Sequence, residues 1–396
     1  DHVVRLGGAA AEQRTAARDR HGRIPASENP AVAEHTERAL PLQQAAETLV
    51  SAVRRAAGGG PVFRAKPWPS GHRWAAAITH DLDIVSGWPL FASLRWAELV
   101  RKGEFARSAR AVAAATAGLT GSPVRQSLAR ILEIERAAGV RATWFVLAGD
   151  PTLTGWRRGD LTYSLDGRAA RELVDLVLAD GHEIGLHGSF ETRDDGALMA
   201  RERERVARVT GRVPAGIRQH FLRLDPARTP ALAESAGFAY DASYGFADRN
   251  AFRLGAAEIL PLWQDREQRP LGIVEAPLAW MDRTHSKYLG QEDPAAWIAD
   301  ALDLARQARE AGGLWVGLWH PNVSAPLGFP GALEAFESLI GALASERPWL
   351  APLEEIVAWR RVRRGLRVRL AEGGRTELVG EGRSAWAAEI EEISHG

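Results

Sequence analysis

Cysteine is absent from all 396 residues, which removes disulfides, thiolate metal sites and cysteine nucleophiles from consideration. Any metal must therefore sit on imidazoles and carboxylates. Lysine is scarce as well: Lys66, Lys102 and Lys287 stand among 50 basic residues, and we read the arginine bias as one of coding. Neither charge is in excess, with 50 basic and 50 acidic residues, so the basic surplus demanded by nucleic acid or an anionic membrane is missing. No apolar run approaches the ~18 residues of a membrane-crossing helix. The residues given carry no signal-peptide pattern, and with the missing cysteine this makes a cytoplasmic location the expectation. What the chain does have is 45% hydrophobic residues, ample for a large core. Length alone suggests two or three domains, although α/β barrels run to ~200–250 residues as one unit.

Residues 1–37 show little aliphatic periodicity and predict a loose or partly helical start. Helical spacing from Pro41 to Ala57 ends at Gly58, Gly59 and Gly60. The segment 88–138 is helical in character, and Gly139 stops it. Around it, short apolar runs alternate with amphipathic helices. Strands are expected at Trp74–Ile78, Ala142–Ala148, Glu183–His187, Ile217–Phe221, Phe238–Ala242, Ile273–Met281 and Leu314–Trp319. Helices are expected at Arg168–Ala179, Leu198–Val209, Pro230–Ala236, Pro294–Ala311 and Leu333–Ala344. Such alternation implies a parallel sheet with right-handed crossovers, and about seven units favour a barrel over an open sheet. No G-x-G-x-x-G opens a helix after the first strand, which weakens a dinucleotide-binding reading. Beyond Trp359, Arg367–Leu370 and Thr376–Val379 alternate in polarity around Gly373-Gly374, a hairpin signal.

In a βα barrel the reactive groups sit at the carboxyl ends of the strands. The first strand here runs into Thr79-His80-Asp81-Leu82-Asp83, and the third ends at His187. The fourth carries Arg218 and His220, the run IVEAPLAWM leads to Asp282, and LWVGLW leads to His320. Five strand ends of about seven thus carry Asp, His or Arg. That clustering suggests metal-assisted hydrolysis. A divalent ion on His and Asp lowers the pKa of a bound water from 15.7 to roughly 7, a second carboxylate takes its proton, and a separate His protonates the leaving group.

In their order along the chain, THDLD (79–83), ATWFVLAGD (142–150), GHEIGLHGS (181–189), GIRQHFLR (216–223), GFAYDAS (237–243) and GLWH (317–320) resemble the polysaccharide deacetylases. These are metal-dependent N-deacetylases of chitin, peptidoglycan and related glycans, and the resemblance spans roughly residues 72–322. It implies a distorted (β/α)7 barrel, which we place at 71–358 with the helical insertion at about 88–138; the residues outside it read as an N-terminal helical or irregular extension over 1–70 and a small C-terminal β appendage over 359–396. It also implies roles: Asp81 as general base, Asp83 and His187 as metal ligands, and Arg218 as the partner that positions the base. The Phe221 N–H would donate to the oxyanion, His320 would be the general acid, and Asp282 would orient it. One divalent ion is expected, zinc first, with cobalt or nickel as alternatives because imidazole and carboxylate do not discriminate sharply. The substrate is expected to be a glycan or amino sugar.

Two departures matter. Leu82 separates an Asp pair that is usually adjacent, a form that looks like a subgroup of the superfamily. Where the family has its second metal His, four residues after His187, this chain has Glu191. Either Glu191 ligates or His220 supplies the missing nitrogen, and we favour His220. The Glu191 departure also motivates a rival, a catalytically impaired carbohydrate-binding barrel. An amidohydrolase of small cyclic amides or ureides is the rival within enzymes.

Blander readings apply elsewhere. His182 and His80 are expected to be structural, and Asp241 to fix a turn. Asp282 could pair with Arg283 instead of His320. Trp144, Trp280 and Trp315 are expected in the core, with Trp319 facing a sugar-binding groove. Arg360–Arg369 reads as a solvated helix end.

Overall fold

The computed structural model describes residues 12, 14–58, 60–117, 121–160, 162–372 and 375–393. The strands, in chain order, are β1 (Phe63–Ala65), β2 (Ala75–Leu82), β3 (Thr143–Leu147), β4 (Glu183–Gly188), β5 (Gly216–Gln219), β6 (Tyr240–Asp241) and β7 (Leu260–Gln264). They continue as β8 (Arg269–Glu275), β9 (Trp280–Met281), β10 (Leu314–Leu318), β11 (Trp349–Leu350), β12 (Arg367–Leu370), β13 (Thr376–Val379) and β14 (Ile390–Glu392). All eight residues of β2 are buried, as are all of β3, β4 and β10. Strands covered on both faces read as continuous apolar runs, which is why these segments lack a polar face.

Parallel pairing runs β9–β10–β2–β3–β4–β5–β6–β8, with β7 antiparallel on the outer side of β8. The expected strand Ile273–Met281 is not continuous. It breaks into β8 and β9 at Ala276–Ala279, where Pro277 has no N–H to donate to a ladder. At that break the chain bridges the two sides of the curled sheet: the Ala276 N–H donates to the Asp241 carbonyl (2.8 Å) on one side, and the Ala279 N–H to the Val316 carbonyl (3.0 Å) on the other. The architecture is mixed α/β, a curled parallel sheet of distorted barrel type.

Side chains alternate across each strand. Ala75 and Ala77 of β2 join Phe145, Tyr240, Val274 and Val316 in the barrel interior, whereas Ala76, Ile78 and Leu82 pack outward among the covering helices. Gly185 leaves room for this interior, since a Cβ there would stand 2.7 Å from the Phe145 ring. The helix Leu353–Gly365 plugs the end where the strands begin, and its Leu353 N–H donates to Thr143 Oγ1 (2.8 Å).

The segment 88–138 forms three helices, Trp88–Arg101, Phe105–Ala117 and Pro123–Ala137. The start is less loose than its composition suggests. Residues 1–11 and 13 lie outside the described residues, but the stretch that follows packs on the rim at the other end of the barrel. Arg193 and Arg223 donate to the carbonyls of Gly22 (2.7 Å) and His21 (3.0 Å), and the buried Arg253 pairs with Glu12 (2.8 Å). The helix Pro41–Ala56 follows; of the glycines expected to stop it, Gly59 lies outside the described residues.

The expected hairpin forms, with β12 and β13 antiparallel from Arg367↔Val379 to Leu370↔Thr376; its Gly373-Gly374 turn lies outside the described residues. β14 pairs antiparallel with β1, from Phe63↔Glu392 to Ala65↔Ile390. Arg360–Arg369 is not simply solvated. Arg360 pairs with Glu258 and lies 5.0 Å over the Trp68 ring, and Arg363 donates to the carbonyls of Lys66 (2.9 Å) and Ala65 (3.1 Å). A long arginine stem covers apolar surface while its fork satisfies free carbonyls, so this run clamps the helix to the 61–68 strap. Among the described residues no helix is long and apolar enough to cross a membrane.

Candidate metal centre

The Asp-Leu-Asp spacing follows from the pleat. Residues 75, 77, 79, 81 and 83 face the barrel axis, so Asp81 and Asp83 rise one above the other beyond Thr79 while Leu82 is spent on the outer core. Arg218 of β5 reaches across the interior, fully buried, and holds the lower carboxylate. Its Nη1 donates to Asp81 Oδ1 (3.0 Å) and Thr79 Oγ1 (2.8 Å), and its Nε to the Ala242 carbonyl (3.0 Å). The Phe145 ring lies 4.5 Å beneath the guanidinium.

Asp83, His187 and His220 offer ligand atoms that all lie within 4.8 Å of one another. His187 Nε2 stands 3.3 Å and His220 Nε2 3.5 Å from Asp83 Oδ1, close to the ~3.3 Å edge of a tetrahedron with bonds of about 2.0–2.1 Å. His187 Nδ1 donates to the Arg218 carbonyl (2.9 Å) and His220 Nδ1 to Asp160 Oδ1 (2.8 Å). With both Nδ1 positions used as donors, both Nε2 lone pairs converge on one spot. Asp83 Oδ1 is buried there without a hydrogen-bond partner. Burial acts to raise the Asp83 pKa, yet His220, His187 and His320 outweigh it and hold the carboxyl well below the usual range. Conversely, burial lowers His187 but Asp81 and Asp83 lift it above its ordinary value. The pit favours positive charge, and its two imidazoles and one carboxylate fit a divalent cation.

Glu191 is elsewhere. It lies on the turn Phe190–Arg193, its side chain is 62% exposed, and it pairs with Arg158 at 2.8 Å. His220 reaches the pit because the expected strand Ile217–Phe221 ends early, at Gln219, in a 3-10 turn. Phe221 and Leu222 both take left-handed φ, +60° and +54°. Two successive non-glycine residues in that region carry strain that the surroundings must hold, and the turn swings the imidazole into the mouth. The Phe221 ring stacks on it with centroids 3.9 Å apart.

On the opposite wall, His320 follows β10 and Asp282 follows β9, neighbours in the sheet. The Asp282 carboxylate accepts from His320 Nδ1 (2.6 Å) and from its backbone N–H (2.8 Å). It also accepts the Arg283 backbone N–H (2.6 Å), and no ion pair forms between their side chains. Burial lowers the His320 pKa, but Asp282 overcomes it and pushes the value up to about 9. His320 Nε2 points at the pit, 3.7 Å from Asp83 Oδ2.

Asp160 escaped the sequence reading. It follows the helix Leu153–Arg158 and belongs to no strand, so no periodicity marks it. Besides His220, it accepts the Phe190 N–H (3.1 Å), tying the loop after β4 to that imidazole. Replacing Asp160 with Ala is expected to weaken divalent-ion affinity about 10–100-fold, the usual effect of losing an orienting carboxylate behind a ligand His. Titration against a chelating dye measures it, and unchanged affinity would remove Asp160 from the site.

Asp241 does fix a turn, accepting the Ser243 hydroxyl, and burial pushes it up to about 6. Glu275, its partner across the sheet, is raised well above the carboxylate range by burial and by Asp241. His80 bonds Glu135 (2.9 Å) and the Trp319 carbonyl (2.7 Å), and His182 accepts the Ala142 N–H (2.8 Å), both behind the site. Trp319 does not face a groove. It is 1% exposed and packs against Trp280, Trp297 and Phe336, because residue 319 alternates to the outer face of its strand.

A cavity of about 100 Å³ opens over the pit, lined by Asp81, Asp83, His187, His220 and His320 below and by Arg23, Arg283, Lys287 and Tyr288 above.

No family model and no curated protein matches the chain. Solved structures do. A candidate polysaccharide deacetylase from Mycobacterium smegmatis is 23% identical over 76% of this chain and 94% of its own, with a TM-score of 0.50. The Puue allantoinase is 17% identical over 77% and 95%, with a TM-score of 0.48. A mutant with restored enzymatic activity of a CE4 family pseudoenzyme, from Bacillus anthracis, is 11% identical over 72% and 67%, with a TM-score of 0.38. The first of these shows that the chain has the fold of the polysaccharide deacetylases.

Proposed function

We propose that the protein is a metal-dependent hydrolase that removes an acyl group, N-acetyl foremost, from an amino sugar or glycan. The observation that carries this reading is the convergence, in one cavity, of three arrangements: Asp81 with Arg218, Asp83 with His187 and His220, and His320 with Asp282. The Asp-Leu-Asp opening marks it as a branch of the deacetylase superfamily.

Asp83, His187 and His220 would hold the ion, zinc first. When bound, a divalent ion there polarises an amide carbonyl and acidifies an attacking water. The protein's own groups do the rest. Asp81, oriented by Arg218, takes the proton of the attacking water. The Phe221 N–H, set by its left-handed backbone, donates to the developing oxyanion, a contribution of ~2.7–4 kcal/mol where such donors have been removed. His320, kept protonated at neutral pH by Asp282, gives its Nε2 proton to the departing nitrogen, and the amine leaves neutral.

The test is acetate release from N-acetylated amino sugars and chito-oligomers, run beside a ureide panel. Release is expected with zinc-, cobalt- or nickel-loaded protein, lost on chelation and restored by metal. Ureide hydrolysis without acetate release, or sugar binding by protein that takes up no divalent ion, would overturn it.

A further inference from the structure

The upper wall of the cavity is basic, and two of its three cations lack a carboxylate partner. Arg283 and Lys287 stand four apart on the helix Asp282–Lys287, one face of which lines the cavity. Neither side chain has a carboxylate within 4.0 Å among the described residues; Arg283 Nη1 donates to Ser286 Oγ (3.0 Å), and Lys287 Nζ lies 5.4 Å from the Tyr288 ring centroid. Arg23 arrives from the N-terminal segment, held by Asp19 (2.6 Å), with Nη1 donating to the Tyr288 hydroxyl (3.1 Å). Burial lowers the Lys287 pKa, and the neighbouring Arg283 and Arg23 lower it further. These are cations assembled against their own repulsion.

The floor does not answer them, because Asp81 is bound by Arg218 and Asp83 is ringed by imidazoles. A divalent ion in the pit would leave the whole lining more positive still. Position adds a second point. Lys287 Nζ lies 6.0 Å from the Phe221 ring centroid and Arg23 Nη1 donates to the Phe221 carbonyl (3.5 Å), beside the turn that carries His220, while Arg283 follows Asp282, which orients His320; the cations stand over both walls of the mouth.

We propose that Lys287 and Arg283, completed by Arg23, form a subsite for an oxyanion, carboxylate or phosphate, carried on the substrate held over the pit. This rests on the deacylase reading for its placement. A neutral N-acetyl sugar would leave Lys287 and Arg283 without an anionic partner, whereas an acidic sugar or a sugar phosphate would satisfy them with charge-assisted hydrogen bonds.

Two measurements test it. The first is calorimetric titration of protein without added metal with inorganic phosphate, for the wild type, Lys287→Gln and Arg283→Gln. Lys287 is exposed to the cavity, so its substitution spares the core. About tenfold weaker binding or more is expected in each variant, the scale of a lost hydrogen bond to a charged group. The second is acetate release by metal-loaded protein from N-acetylglucosamine, N-acetylmuramic acid and N-acetylglucosamine 6-phosphate. Wild type is expected to prefer one of the two anions in kcat/KM, and Lys287→Gln to cut that preference about tenfold; which anion wins identifies the source. Equal phosphate binding by wild type and variants, or no preference over the neutral sugar, would overturn the subsite. Phosphate binding that depends on Lys287, with no acetate released from any sugar, would support the subsite and sink the deacetylase reading instead.

Discussion

Asp81→Asn is expected to cut turnover by about 10²–10⁴-fold, the range attached to a positioned general base, while the protein folds and binds its metal as before. The substitution keeps the shape that Arg218 grips but removes the atom that can take a proton. It leaves Asp83, His187 and His220 as they are, and Asp81 Oδ2 is the more distant carboxylate from His187, at 3.6 Å against 3.3 Å for Asp83. Single-turnover acetate release at matched metal content is the measurement. Near-normal turnover would assign the proton to another group, and turnover lost together with metal would make Asp81 a ligand. Arg218 is the poorer place to test the same idea. It is fully buried and satisfies Asp81, Thr79 and Ala242 together, so its removal strands an interior carboxylate and confounds activity with folding.

The sequence reads the barrel well because its strands are buried on both faces and its helices are amphipathic, and each leaves a periodic trace. The candidate site is legible where one of its residues continues such a trace. Asp81 and Asp83 are two further positions on the inward face of β2, and His187, Asp282 and His320 terminate or follow strands. Legibility fails where position depends on contact with distant chain. Asp160 lies after a short helix and acquires meaning only beside His220. Arg23 lies in a stretch without periodicity and reaches the cavity because Arg193 and Arg223 hold the backbone beside it. β1 and β14 are three residues each, too short for a period of two to register. Trp319 illustrates the converse error: adjacency to His320 in sequence suggests adjacency to the site, but alternation along the strand sends successive side chains to opposite faces.

His220→Ala is expected to weaken divalent-ion binding by more than the ~10–100-fold attached to its orienting partner, while Glu191→Ala leaves affinity unchanged. The two residues occupy opposite situations. His220 is 4% exposed, its Nδ1 is fixed by Asp160, and its Nε2 faces an orphaned carboxylate oxygen. Glu191 points to solvent, and its ion pair with Arg158 is of the exposed kind worth little. For Glu191 to ligate, the turn Phe190–Arg193 would have to unwind and surrender the bond from Phe190 N–H to Asp160, which itself holds His220. In this arrangement His220 and Glu191 cannot both face the pit. The alanine at 220 also removes the ring on which Phe221 stacks, so the ranking is to be read from metal affinity, with the thermal midpoint of each metal-free variant recorded beside it. A larger loss from Glu191→Ala than from His220→Ala would move the third ligand to the loop after β4 and return the strained turn at Phe221 to a purely structural role.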